Sequence, residues 1–160
     1  MLKDRAMLKD RDWIASHIPH RGAMCLLDGV LDYDATRIRC VSRAHRDPRN
    51  PLRSHGRLAA VCGIELAAQA AAVHGALLQP PSGTPRVGLL AALRGVSLQV
   101  ERLDDIDADL LAVAERTGGD DTTVLYALTV SANDRELLTG RATIVVDPAA
   151  AGAAFGGAPR

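Results

Sequence analysis

Between Leu58 and Pro85 the chain carries a single charged side chain, Glu65, in a stretch otherwise made of apolar and uncharged polar residues. A carboxylate on an apolar helix must be paired, protonated or put to work. Its plain alternative is a cap that complements the helix dipole from the first turn. Gln69 follows one helical turn later on the same face and can hydrogen-bond or orient Glu65. It reads as support for the carboxylate and not as a catalyst. His74 lies nine positions on, nearly opposite on an ideal helix, and is left out of the site. Far upstream, the stretch IPHRGAMCLLD (residues 18–28) sets His20 in a Pro-His-Arg corner before the first strand-like run. His20 either brings a ring nitrogen to the chemistry or bonds to backbone where the chain turns into the fold.

These residues need elements to hold them. Residues 12–18 suit one or two helical turns, closed by Pro19 because the residue before a proline is pushed out of the α region. Residues 24–33 and 36–45 read as two strands, and Pro48, Pro51 and Gly56 make 46–57 a loop. The Ala- and Leu-rich segment 58–79 is the one long helix, stopped by Pro80-Pro81, and its apolar character all round predicts burial on every side. Four further strands follow at 87–100, 109–117, 122–132 and 136–146, with 118–121 and 132–135 as hairpin turns. One buried helix flanked by so many strands is best covered by a curved antiparallel sheet wrapped around it, an α+β hot-dog fold. Residues 12–147 are then one domain, between a charged disordered tail at 1–11 and a disordered tail at 148–160.

Composition narrows the function. Nineteen basic and nineteen acidic residues cancel to a formal net charge of zero, and aromatics are 2%. The first removes a global attraction for polyanions or membranes, and the second removes the stacking platforms of single-strand binders. No nucleic-acid or membrane partner and no secretory signal are expected. Cys25, Cys40 and Cys62 are odd in number and lack CxxC spacing, so they read as small core residues of a cytoplasmic protein and not as metal ligands.

Two of these motifs resemble a known family. Residues 14–28, IASHIPHRGAMCLLD, are similar to the opening of the 3-hydroxyacyl-(acyl-carrier-protein) dehydratases, and Gly63-Ile-Glu-Leu-Ala-Ala-Gln-Ala70 to their central-helix signature. The segment 50–77 more narrowly resembles the divergent dehydratase-like branch of aryl polyene biosynthesis. The resemblance implies a dimer, homomeric or paired with another hot-dog subunit, that converts 3-hydroxyacyl thioesters to trans-2-enoyl thioesters. It implies Glu65 as the carboxylate and backbone amides around Val61-Cys62-Gly63 as holders of the thioester carbonyl, with Gly63 letting the acyl chain approach. No cofactor is implied beyond the phosphopantetheine that carries the substrate.

The family's Gly-His-Phe-Pro loop segment is missing. Ser54-His55-Gly56-Arg57 stands in that loop, ten residues before Glu65 at His55, so His20 and His55 are the two candidates to partner Glu65. Arg43, Arg46, Arg49, Arg53 and Arg57, set against Asp47, form a local basic run suited to an acidic carrier protein or to coenzyme A phosphates. An ordinary solvated loop is the alternative reading. Two rival functions use the same fold: a thioesterase in which Glu65 activates water, and a non-catalytic partner or acyl-binding subunit of an active hot-dog protein.

Overall fold

A computed structural model of the 160-residue chain describes residues 6–80 and 88–146. Seven antiparallel strands form one sheet in the order β1-β2-β3-β5-β6-β7-β4: β1 Lys9–Asp10, β2 Gly29–Tyr33, β3 Arg37–Ser42, β4 Leu89–Leu98, β5 Leu110–Gly119, β6 Thr123–Ala132 and β7 Arg135–Val145. Helix α1 spans Arg11–His17 and helix α2 spans Gly63–Leu78. The sheet wraps α2, which lies against β3, β5, β6 and β7. This is the hot-dog arrangement expected from the pattern of one apolar helix among alternating strands.

Burial explains the wrapping. Ala67, Ala70, Ala71 and Val73 of α2 are buried against Ile38, Cys40, Ala112, Ala114, Leu128 and Val130 of the sheet, and their small side chains let helix and sheet approach closely. The burial is not complete on every side. Glu65, Ala68, Ala72 and Ala76, at spacings of three and four, are only half-buried and form a stripe that the sheet leaves uncovered. Apolar composition reports hydrophobicity but not which face the sheet will reach.

Several boundaries differ from the sequence reading, among them the second strand, which ends at Ser42 before a 3₁₀ turn at Ala44–Arg46, and β5, which runs on through Gly119. Residues 9 and 10, expected in a disordered tail, pair with Val30 and Gly29, and Met7 lies where a Cβ on Gly29 would stand. The long helix begins at Gly63 and not at Leu58, because residues 58–60 pair with 101–103 instead: Leu103 N–H donates to Leu58 O at 2.8 Å and Ala60 N–H to Glu101 O at 3.0 Å. The first strand begins at Gly29, after a short 3₁₀ turn at Gly22–Met24. The expected hairpin at 132–135 is present, with Asn133 and Asp134 at φ 47° and 61°, the positive angles a two-residue primed turn requires. The C-terminal tail at 148–160 lies outside the described residues.

Strand β4 ends the sheet. Its pairing with β7 is interrupted twice, between Leu90 and Ala92 and between Arg94 and Ser97, and Gly95 at φ 59° occupies the second bulge. Leu89, Leu93, Val96 and Leu98 are all exposed on this edge strand.

Candidate active site

The Pro-His-Arg corner is held by its arginine. Asp10 caps the start of α1 by accepting from Trp13 N–H, and α1 stops at Ile18 because Pro19 follows. Arg21 Nη1 then donates to the carbonyls of Ile18 at 2.7 Å and Ala15 at 2.8 Å, satisfying acceptors the helix end leaves open. With Arg21 fixing the corner, His20 projects toward α2. Its Nε2 lies 3.0 Å from Glu65 Oε1, and the two side chains keep 27% and 32% of their surface exposed. The corner therefore does both jobs, with Arg21 as the anchor and His20 at the carboxylate.

Gln69 completes the cluster and ties it to the strand entrance. Its side chain is fully buried; Nε2 donates to Met24 O at 2.7 Å and to Glu65 Oε1 at 3.2 Å, and Oε1 accepts from Leu26 N–H at 2.9 Å. The backbone partners fix the amide's orientation, since Leu26 N–H must meet oxygen and Met24 O must meet nitrogen. Glu65 Oε1 thus accepts from Gln69 and lies beside His20 Nε2. Among the described residues no hydrogen bond reaches Oε2.

His55 stands apart from this cluster. It occupies a tight turn in which Ser54 and Arg57 exchange both backbone hydrogen bonds, with His55 at φ 51° and Gly56 at φ 73°. The imidazole is exposed, its Nδ1 is 2.9 Å from Ser54 Oγ, and no ion pair or hydrogen bond joins it to Glu65 among the described residues. Of the two histidine candidates the fold brings His20 to the carboxylate.

The turn before α2 departs from the expected carbonyl holder. Residues 60–62 form a 3₁₀ turn that runs straight into the helix, so Cys62 N–H donates to Ala59 O at 3.0 Å and Gly63 N–H to the carbonyls behind it. These two amides are spent inside the turn. In this segment the amide of Val61, on a half-exposed residue, donates to no carbonyl among the described residues. Gly63 also has a different reason to be glycine: a Cβ there would sit 2.4 Å from Leu138 Cδ2 and 3.3 Å from Leu103 Cδ1. On that side of Gly63 the space is filled by the core. Cys62 is half-buried, and burial raises its thiol pKa, which keeps it protonated.

Most of the basic run is paired internally. Asp109, nearly buried, accepts from Arg43 Nε at 3.1 Å and Arg46 Nη2 at 2.5 Å, and Arg46 Nη1 donates to Asp107 O at 2.6 Å. Burial pushes the Asp109 carboxyl up, but the hydrogen bonds and charges of Arg46 and Arg43 outweigh it and hold the group below its ordinary value. Arg49 grips Asp47 with two nitrogens, and Arg53 donates to Gly56 O and His45 O. Arg57 makes no side-chain hydrogen bond among the described residues. A cleft of about 380 Å³ lies over this region, lined by Arg11, Arg43 and Arg46 together with Asp28, Asp47 and Asn50. Asp109 escaped the sequence reading because it is more than sixty residues from the arginines it binds, and nothing local marks it.

His74 is a core residue, as its position opposite Glu65 implies. Asp34 O, an acceptor only, lies 2.8 Å from its Nε2, so Nε2 donates and Nδ1 accepts from the Tyr126 hydroxyl at 2.8 Å. Burial lowers its pKa, and the ring is neutral. No group of three or more His, Cys, Asp or Glu side chains that could hold a metal occurs among the described residues.

Comparison with known proteins fits this geometry. The chain resembles a solved dehydratase heterocomplex, ApeI:P from Xenorhabdus doucetiae, at TM-score 0.75 and 23% identity, covering 83% of this chain and 90% of that one. It is also similar to a mutant of the thioesterase PA1618 from Pseudomonas aeruginosa, at TM-score 0.55 and 16% identity over 75% of this chain and 81% of that one. A third likeness is to the E. coli PaaI protein from the phenylacetic acid degradation operon, at TM-score 0.56 and 13% identity over 84% and 88% of the two chains. At these identities the structures speak for the fold. No curated protein matches the sequence. The ApeP-like family, described as ApeP dehydratase, matches residues 13–155, a span that contains the corner, the carboxylate and every strand from β2 to β7, and the chain belongs to that family.

Proposed function

We propose that this protein removes water from 3-hydroxyacyl thioesters carried on the phosphopantetheine arm of an acyl carrier protein, giving trans-2-enoyl thioesters for an aryl-polyene-like chain. The observation that carries this reading is the contact of His20 Nε2 with Glu65 Oε1, in a chain of a dehydratase family. Dehydration needs a group that takes the α-proton and a source of a proton for the departing β-hydroxyl, and a positioned carboxylate can serve. The Val61 amide is the donor left in the turn before α2 for a thioester carbonyl that becomes enolate-like. A coenzyme A thioester presents the same arm and is the alternative carrier. The arginines lining the cleft keep part of their side-chain surface exposed, 44% for Arg43 and 32% for Arg46, for such an anionic carrier.

The partner in this reading is a second hot-dog subunit that pairs with the edge of β4. Long apolar edge strands are ordinarily shielded, and β4 exposes Leu89, Leu93, Val96 and Leu98. The dehydratase heterocomplex to which the chain is similar supports a different subunit as that partner.

Purified protein incubated with a 3-hydroxyacyl-carrier substrate is expected to yield the enoyl thioester by mass spectrometry. Glu65→Gln is expected to slow this by about 10²–10⁴-fold, the usual weight of a lost acid–base group. Free acid as the product would favour the thioesterase reading instead. A Glu65→Gln variant as fast as the parent would remove Glu65 from the chemistry.

A further inference from the structure

Neither ring nitrogen of His20 is available to a substrate. Nε2 is engaged by Glu65 Oε1 at 3.0 Å. Nδ1 is buried and has no hydrogen-bond partner among the described residues. The arrangement also says where the proton sits. An imidazolium, or a neutral ring accepting a proton from Glu65, would place a hydrogen on Nδ1 and leave a buried N–H without an acceptor, the rarer kind of unsatisfied group. With the hydrogen on Nε2, His20 faces Oε1 with an N–H across 3.0 Å and Nδ1 carries only a lone pair. Gln69 Nε2 donates to the same oxygen at 3.2 Å, so Oε1 is held from two sides. Oε1 is closed by its neighbours, while Oε2 has no protein partner among the described residues.

We propose that Glu65 is the only proton-transferring group of the site, working through Oε2, and that His20 and Gln69 are positioning residues that hold Oε1. This rests on the dehydration reading and specifies its mechanism. Oε2 takes the α-proton as the Cα–H bond breaks, and that electron pair passes into the bond between Cα and the thioester carbonyl carbon, leaving negative charge on the enolate-like oxygen. The same oxygen of Glu65 then passes the proton to the β-hydroxyl as the enolate collapses, the Cα–Cβ π bond forms and the Cβ–O bond breaks, releasing water and restoring the carboxylate. Electrons and protons balance without a second acid. Because one atom serves both positions, the α-hydrogen and the hydroxyl must leave from the same face of the substrate.

The test compares His20→Gln, His20→Asn and Glu65→Gln with the parent on a 3-hydroxyacyl-carrier substrate, recording kcat across pH and folding by circular dichroism. Both histidine variants keep an amide donor that can serve Oε1 but have no titrating ring. At least one is expected to retain kcat within about tenfold of the parent with the same pH profile, while Glu65→Gln falls at least about a hundredfold. If both histidine variants fold and fall as far as Glu65→Gln, His20 transfers a proton, and this inference fails while the dehydration reading stands. If the parent forms no enoyl thioester, both readings fail. Nitrogen-15 NMR of the histidine-labelled parent supplies a readout independent of turnover. A hydrogen on Nε2 of His20 is expected, and a hydrogen on Nδ1 would overturn the assignment.

Discussion

Replacing Gln69 with leucine should cost more stability than its volume suggests. The side chain is fully buried and serves three partners: Leu26 N–H at 2.9 Å, Met24 O at 2.7 Å and Glu65 Oε1 at 3.2 Å. Leucine fills the space but leaves the Leu26 amide and the Met24 carbonyl without partners in the interior. Each orphaned backbone group costs about 1–3 kcal/mol, so Gln69→Leu should lose about 3–4 kcal/mol in all. For a chain of this size, at ~2–4 °C per kcal/mol, that is a fall in melting temperature of about 10 °C. Urea denaturation followed by circular dichroism, with calorimetry for the midpoint, measures both. The damage should also reach the site, because the 24–26 segment that Gln69 holds follows directly from the corner that presents His20. A loss under about 1 kcal/mol would mean that the two backbone groups find water or new partners, and would refute the view that Gln69 is the staple between corner and helix.

Two further perturbations probe the surroundings. Gly63→Ala would put a Cβ 2.4 Å from Leu138 Cδ2, on a side chain that is itself fully buried, so the variant should lose about 1–3 kcal/mol in urea denaturation. Adding Leu138→Ala should return part of that loss as a favourable coupling in a double-mutant cycle, and strict additivity would refute the steric account. The buried histidines set an acid dependence. Burial lowers the pKa of His74, and that of His45 likewise, below the ordinary 6.5, so the unfolded chain takes up protons that the native chain resists. Stability is then fully present above about pH 6.5 and declines as pH falls below it. His74→Phe, although less stable throughout for want of partners for Tyr126 and Asp34, should show a shallower decline in urea stability between about pH 7.5 and 5, and an unchanged slope would contradict this assignment.

The contacts that bring His20, Glu65 and Gln69 together lie within the chain. Corner and helix meet because Gln69 staples the 24–26 segment to α2, and the Ser42 hydroxyl and Asp28 carboxylate fasten the same entrance to the end of β3 through Leu26 O and Arg43 N–H. The Leu-Leu-Asp that closes the motif is thereby explained: Leu26 and Leu27 fill the core, and Asp28 caps the neighbouring strand's exit. The stripe of half-buried residues on α2, which includes Glu65, and the apolar edge of β4 are the parts of the fold the single chain leaves uncovered.

Much of this protein was legible in local properties. Strand alternation, the Ala-rich helix ended by Pro80-Pro81 and the shortage of any second long helix are enough to select a sheet wrapped around one helix, because burial follows periodicity. Glu65 was visible as the lone charge on that helix, and Gln69 as its neighbour one turn away. What pairs with Glu65 was not legible, since His20 is forty-five positions away and His55 only ten, and proximity along the chain favours the wrong one. Only the folded path, with Arg21 turning the corner and Gln69 holding its far side, brings His20 to the carboxylate. The same holds for Asp109 and its arginines, for the amides consumed by the 60–62 turn, and for the uncovered stripe of α2. Each depends on which distant backbone arrives alongside, and periodicity along one segment carries no record of that.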